Sequence, residues 1–209
     1  MVALFKAWFV DFLPFGGVKP DEWEYVPFSK FLTPCNEKSN DSKLQMFSVT
    51  DKGIHPRDEK FKKNLSMKNA KNKVVHQTNL VFGMSREILN WGIMRYPIGG
   101  VSSAYNVYVV DNSINTYYLE SYIKAHIQYF RDLIKPASRE GQGIDKSALM
   151  AKEILLPSTR VLNEYYAIES ILTALIDTIN GQNKSLASFR DILLPKLMSG
   201  EIDVSNIAV

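Results

Sequence analysis

Positive charge is concentrated in one stretch of this 209-residue sequence. Residues 60–86 hold Lys60, Lys62, Lys63, Lys68, Lys71, Lys73 and Arg86 with no acid, although the whole chain carries only +3. A local cationic field of this kind attracts polyanions, and a nucleic-acid phosphate backbone is the commonest of them. Asn64, Asn69, Asn72 and Gln77 are interleaved with the lysines. Amide side chains can bridge the edge of adenine, while lysines hold phosphates or guanine. His55 and Arg57 stand just upstream, and Arg86 and Arg95 just downstream. The same composition also suits a solvated lysine-rich loop, and no helix-turn-helix or zinc-finger spacing accompanies it.

Other chemistry is sparse. Asp51 followed by Asp58-Glu59-Lys60 echoes a metal-dependent nuclease arrangement, which needs its acids on adjacent strand ends to hold Mg²⁺. Gly53 and Pro56 between them argue against that geometry. No phosphate-binding Gly-x-x-x-x-Gly-Lys-Ser/Thr loop, dinucleotide Gly-x-Gly-x-x-Gly, Gly-x-Ser-x-Gly elbow or Asn/Asp-Pro-Pro segment is present. His55, His76 and His126 form no metal-ligand spacing. His76, beside Val74-Val75, reads as a strand-face residue. Cys35, the single cysteine, reads as a packing residue and excludes a disulfide framework.

The elements that must position these groups are legible in part. After Pro157, Val161, Ile168, Leu175, Gln182 and Phe189 fall at one heptad position and Tyr165, Leu172, Ile179, Leu186 and Leu193 at the other. This 4-3-4-3 spacing predicts a long helix packed lengthwise against another helix. Ser158 or Thr159 caps its start, and Pro195 and then Ser199-Gly200 mark its end; Ser158 to Leu194 spans about 55 Å. Asn180-Gly181-Gln182 makes a soft point midway. Nothing else in the chain is long enough to answer this seam, so the covering helix must come from another chain. Residues 3–12 suit two to three helical turns before Pro14 and Gly16-Gly17. Between the two lies a mixed α and β region, with strands expected at Gln45–Thr50, Val74–Gln77, Asn79–Gly83 and Val101–Val110 and helices at Tyr117–Leu133 and Lys146–Met150. With 45 % apolar and 22 % charged residues the composition is globular. No apolar run reaches bilayer length and residues 2–15 make a poor signal peptide, so no membrane association is expected and the default compartment is cytoplasmic.

The tail Leu186-Ala187-Ser188-Phe189-Arg190-Asp191-Ile192-Leu193-Leu194-Pro195-Lys196-Leu197-Met198-Ser199-Gly200-Glu201-Ile202 closely resembles the C-terminal segment of type I restriction–modification DNA specificity subunits. The opening Leu4–Gly17 resembles the end of that family's central helix where it enters the second target recognition domain. Gly99-Gly100-Val101-Ser102-Ser103-Ala104-Tyr105 is similar to a strand within such a domain, and Leu155-Leu156-Pro157 to the segment before the conserved helix. No Gln follows Leu-Pro here, where the family usually has one. Family members are about twice this length, so the chain looks like a half-subunit or a C-terminal half.

The resemblance implies an α+β fold. Residues 1–15 would be a helix remnant, 16–157 one target recognition domain, 158–198 a long coiled-coil-type helix for dimerisation and methyltransferase docking, and 199–209 a tail. It implies a non-catalytic module that reads one half of a bipartite site in double-stranded DNA. Its partners would be methyltransferase subunits, a restriction subunit, and a second copy or another half-subunit. S-adenosylmethionine, ATP and Mg²⁺ would belong to those partner subunits, not to this chain. Lys62, Lys63, Lys68, Lys71 and Lys73 would hold phosphates, and Arg57, Asn69, Asn72 and Arg86 would read bases. Val161, Tyr165, Ile168, Leu172, Leu175, Ile179, Leu186, Phe189 and Leu193 would form the helix-pairing surface. The alternative is a truncated interaction module that pairs or binds methyltransferase subunits without productive DNA reading.

Overall fold

The computed structural model describes residues 2–39, 43–57, 72–134 and 143–202. The chain divides into two units, Val2–Ser158 and the segment from Thr159 onward. The first is a mixed α/β body; the second is one long helix. The fold class expected from the sequence is therefore the one observed.

Helix α1 (Val2–Phe9) opens the body. Phe5 and Phe9, one turn apart, share a face of α1 and are fully buried or nearly so. They pack on Tyr118 of α2 (Thr116–Ala125) with ring centroids 5.5 and 5.0 Å apart. The chain then turns through Leu13–Phe15, one 3-10 turn, into Gly16 and Gly17, whose φ values of 72° and 78° favour glycine. Helix α2 starts where Asn115 accepts the Tyr117 N–H at 2.8 Å. The helix expected over Tyr117–Leu133 is shorter than its apolar spacing suggested. It ends at Ala125, and Ile127–Leu133 tighten into a 3-10 segment. At the junction the His126 ring stacks 4.3 Å from that of Tyr122, with Nδ1 3.0 Å from the Tyr122 carbonyl oxygen.

Among the described residues ten short strands complete the body, and each pairing of these strands is antiparallel. A four-stranded sheet runs in the order β2 (Leu32–Cys35), β9 (Asn106–Val110), β6 (Leu80–Phe82), β7 (Trp91–Ile93). β3 (Phe47–Thr50) and β4 (Gly53–Pro56) form a hairpin. β5 (Lys73–His76) pairs with β8 (Ile98–Val101). β1 (Glu24–Pro27) pairs with β10 (Glu153–Leu156), which follows α3 (Lys146–Ala151). The strands enclose a core of Phe47, Val49, Val75, Val81, Met94, Val101 and Val107.

The second unit is α4, Thr159–Met198, a helix of 40 residues. At about 1.5 Å per residue it is roughly 60 Å long. Of the two stops read from the sequence, the later one operates. Pro195 lies inside the helix, which continues through it to Met198 although proline there forgoes one backbone hydrogen bond and crowds the carbonyl four residues back. The helix closes at Gly200, φ 73°, with the Ser199 N–H on the Pro195 carbonyl at 2.9 Å. Gly181 does not interrupt it. Among the described residues no helix is long and apolar enough to cross a membrane.

Candidate nucleic-acid interface

The described part of the basic stretch is organised around Met46, just before β3. The Arg57 N–H donates to the Met46 carbonyl at 2.9 Å, and Arg57 Nε donates to Ser48 Oγ at 3.0 Å. Asn72 Nδ2 approaches Met46 Sδ at 3.6 Å, and the Asn72 carbonyl accepts the Ser39 N–H at 2.9 Å. Arg57 and Asn72, the described residues on either side of positions 58–71, both contact Met46. Lys62, Lys63, Lys68, Asn69 and Lys71 lie outside the described residues, as do Asp58, Glu59 and Lys60.

Met46 is held there by Gly99-Gly100 of β8. The Gly100 N–H donates to the Gln45 carbonyl at 2.8 Å, and Met46 bridges Gly100 in parallel. A Cβ on Gly100 would lie 2.6 Å from Met46 Sδ, and one on Gly99 would lie 2.3 Å from the Phe47 ring. The glycine pair therefore serves close packing, since neither residue has the positive φ that demands glycine. Sequence reading did not single out Met46, Ser48 or this contact. The usable signal was the double glycine within a strand, which marks close approach of another chain segment.

The remaining predicted residues are dispersed. Lys73 is half-buried and its Nζ donates to the Tyr105 carbonyl at 2.8 Å. Burial pushes its pKa down, Lys146 adds to that, and Cys35 partly opposes it. One of its three N–H groups is thus spent inside the body. Arg86 is exposed in the β6–β7 connection, whose Gly83 packs on Val49 toward the other end of β3. The structure brings Arg57, Asn72 and Lys73 together and leaves Arg86 apart from them. His76 pairs with Glu37 at 2.9 Å on the surface. Among the described residues no group of three His, Cys, Asp or Glu side chains could hold a metal ion.

Arg95 flanks the stretch but is committed elsewhere. Its guanidinium lies over the Tyr117 ring at 3.9 Å, donates to Thr116 Oγ1 at 3.1 Å and pairs with Glu120. Glu120 also takes Lys124 at 2.7 Å. Burial pushes the Glu120 carboxyl up, but Lys124 and Arg95 outweigh it and hold the pKa below the ordinary value of 4.5. A carboxyl depressed by folding adds stability above its unfolded pKa and loses it as pH falls through the folded value. Glu120→Gln is therefore expected to cost about 1–2 kcal/mol near neutrality. In thermal melts the gap between wild type and variant should close as pH drops below about 4. A gap independent of pH would show that the carboxylate charge contributes nothing.

The helix seam also divides. Val161 and Tyr165 are buried, whereas Ile168, Leu172, Leu175, Ile179, Leu186, Phe189 and Leu193 are each at least 36 % exposed.

The body, followed by its single long helix, has the fold of type I restriction–modification specificity subunits. The HsdS subunit from Thermoanaerobacter tengcongensis matches with a TM-score of 0.51 at 14 % identity, over 85 % of this chain and 44 % of that one. A chain from a structure of complex assembly and conformational transition in a type I R-M system matches with a TM-score of 0.53 at 16 % identity, over 92 % of this chain and 50 % of that one. In sequence, the chain is similar to the type I restriction enzyme MjaIX specificity subunit of Methanocaldococcus jannaschii. The two are 23 % identical over 98 % of this chain and 52 % of the relative. The resemblance read from the tail and the opening is thus met along the whole chain, which spans about half the length of this curated relative. No family model matches.

Proposed function

We propose that this chain is a DNA-specificity module of a type I restriction–modification system. It reads one half of a bipartite site with its body and docks methyltransferase subunits along α4. It supplies no chemistry itself. Methyl transfer, with S-adenosylmethionine, belongs to the modification subunits, and ATP- and Mg²⁺-dependent cleavage to a restriction subunit. The observation that carries this reading is the match of nearly the whole chain to half of a specificity subunit, one body followed by one long helix. The basic, amide-bearing stretch gives that body a means of holding phosphates and reading base edges.

The test is to co-express the chain with its cognate methyltransferase and sequence the methylated positions in the host genome. The expected result is a single bipartite motif. A complex that assembles but leaves no sequence-specific mark would overturn DNA reading and leave the interaction-module alternative.

A further inference from the structure

We infer that the outward face of the β3–β4 hairpin reads a guanine through Arg57, and that Ser48 is the residue that positions Arg57 to do so. This rests on the proposed DNA reading and adds to it the element, the base and the positioning hydroxyl.

The hairpin has two unlike faces. Successive residues of a strand point to opposite faces, and residues paired across an antiparallel ladder share one. Phe47 and Val49 of β3 are buried in the core, and Ile54 of β4 packs against it. The register sets Ser48 opposite His55. The Arg57 N–H on the Met46 carbonyl, at 2.9 Å, carries the pairing one step beyond β4. Ser48, His55 and Arg57 therefore stand together on the face turned away from the core. Their burial agrees with this, since His55 is exposed and Ser48 and Arg57 are half-buried. The positions of that face, 46, 48 and 50 on one side and 53, 55 and 57 on the other, hold no acid. A two-stranded ribbon of this kind fits the major groove, which is about 12 Å wide.

The guanidinium of Arg57 is held differently from that of Arg95. Arg95 is compensated by Glu120, Thr116 and the Tyr117 ring. Arg57 gives its Nε–H to a neutral hydroxyl, Ser48 Oγ, at 3.0 Å. Among the described residues no carboxylate pairs with Arg57, and its Nη1 and Nη2 have no partner. A guanidinium is planar, with its donors in a fixed fork. A bond at Nε sets the plane and leaves the Nη1–Nη2 end as a matched pair of donors. Guanine presents O6 and N7 side by side in the major groove, two acceptors that such a fork spans. Adenine sets an amino donor beside its N7 and so repels one arm of the fork. A phosphate offers oxygens in several directions and gains little from a fixed plane, whereas a flat base edge requires one. Ser48 acts on the base only through Arg57.

The test uses the methyltransferase complex assembled on the full chain. Its methylated positions in the host genome define the wild-type half-site, which is expected to contain one guanine whose identity Arg57→Ala erases. Ser48→Ala is expected to relax the same position and no other. Ser48→Thr, which keeps the hydroxyl, is expected to restore it, and Ser48→Ala with Arg57→Ala to behave as Arg57→Ala alone. A second measurement alters the DNA and leaves the protein intact. Replacing that guanine by 7-deazaguanine, which lacks the N7 acceptor, is expected to weaken binding of the wild-type complex about tenfold in fluorescence anisotropy. The Arg57→Ala complex should bind both duplexes alike. A half-site whose bases all survive Arg57→Ala, or a wild-type complex indifferent to 7-deazaguanine at every guanine, would overturn the inference and leave DNA reading in place. So would a uniform loss across sequences with a salt slope shallower by about one, the mark of a phosphate contact. A Ser48→Ala effect that persists in the Arg57→Ala background would overturn the positioning role. A wild-type complex that assembles and leaves no specific mark would overturn both this inference and the reading on which it rests.

Discussion

Replacing Lys62, Lys63, Lys68 and Lys71 together by alanine is expected to weaken binding of the assembled methyltransferase complex to its cognate duplex by about a hundredfold in dilute salt. The physical reason is counterion release. Each phosphate neutralised by a lysine frees condensed cations, so log affinity falls with log salt at a slope of roughly −0.9 per contact. Removing four contacts should make that slope shallower by about 3–4. The loss should be nearly uniform across DNA sequences, since phosphate contacts carry no sequence information. Fluorescence anisotropy at four or five salt concentrations measures both quantities. An unchanged slope would remove these lysines from the interface, whatever happened to affinity at one salt concentration. Lys73 is left out of the set because its ammonium is engaged with the Tyr105 carbonyl. Its replacement is expected to lower stability without changing the slope.

The second large effect is expected at the double glycine of β8. Gly99→Ala puts a methyl carbon 2.3 Å from the Phe47 ring, well inside contact distance. That ring is itself confined, 2 % exposed and 4.9 Å from the ring of Tyr96. Overpacking of this kind costs about 1–3 kcal/mol, enough to lower the melting temperature of the body by several degrees. The backbone at Gly99 is ordinary, so the cost is steric and should be relieved by trimming the neighbour. Phe47→Leu in the Gly99→Ala background should recover part of the loss, although Phe47→Leu alone destabilises. Melts of the two single variants and the double variant form a closed cycle. Strict additivity would show that the methyl and the ring do not collide.

The long helix was readable because one face keeps its 4-3 spacing for about four and a half heptads, and length alone separated it from the body. Its true end was not, because Pro195 reads as a stop whereas the helix runs through it to Met198. The strands with β-branched and aromatic runs, Val74–Val75 and Val107–Val110, were visible on the same grounds. Several of those that were missed carry residues that speak against strands. β2 contains Pro34, tolerated because β2 is an edge strand of its sheet. β4 contains Gly53 and Pro56, and β7 is three residues with a central glycine. The candidate interface was legible as composition but not as placement. Lysines at 62, 68 and 73 look alike in a sequence. Only the fold shows that Lys73 turns inward and that Arg95 is held by Glu120. Met46, a residue with no charge to notice, organises Arg57 and Asn72 because a glycine pair far along the chain, at positions 99 and 100, leaves room for it.

The pairing of β1 with β10 has an evolutionary corollary. Glu24 lies opposite Leu156 and Pro27 opposite Glu153, and the Phe28 N–H closes on the Lys152 carbonyl at 2.8 Å. Residues 28–152 thus form a cassette that enters and leaves through one doorway, the geometry in which whole inserts are tolerated. Under the proposed function, recombination at those flanks would trade one cassette for another and so change what is read without redesigning α4. One condition attaches to the exchange: Phe5 and Phe9 stay behind, so an incoming cassette must bring its own counterpart of Tyr118 to cover them.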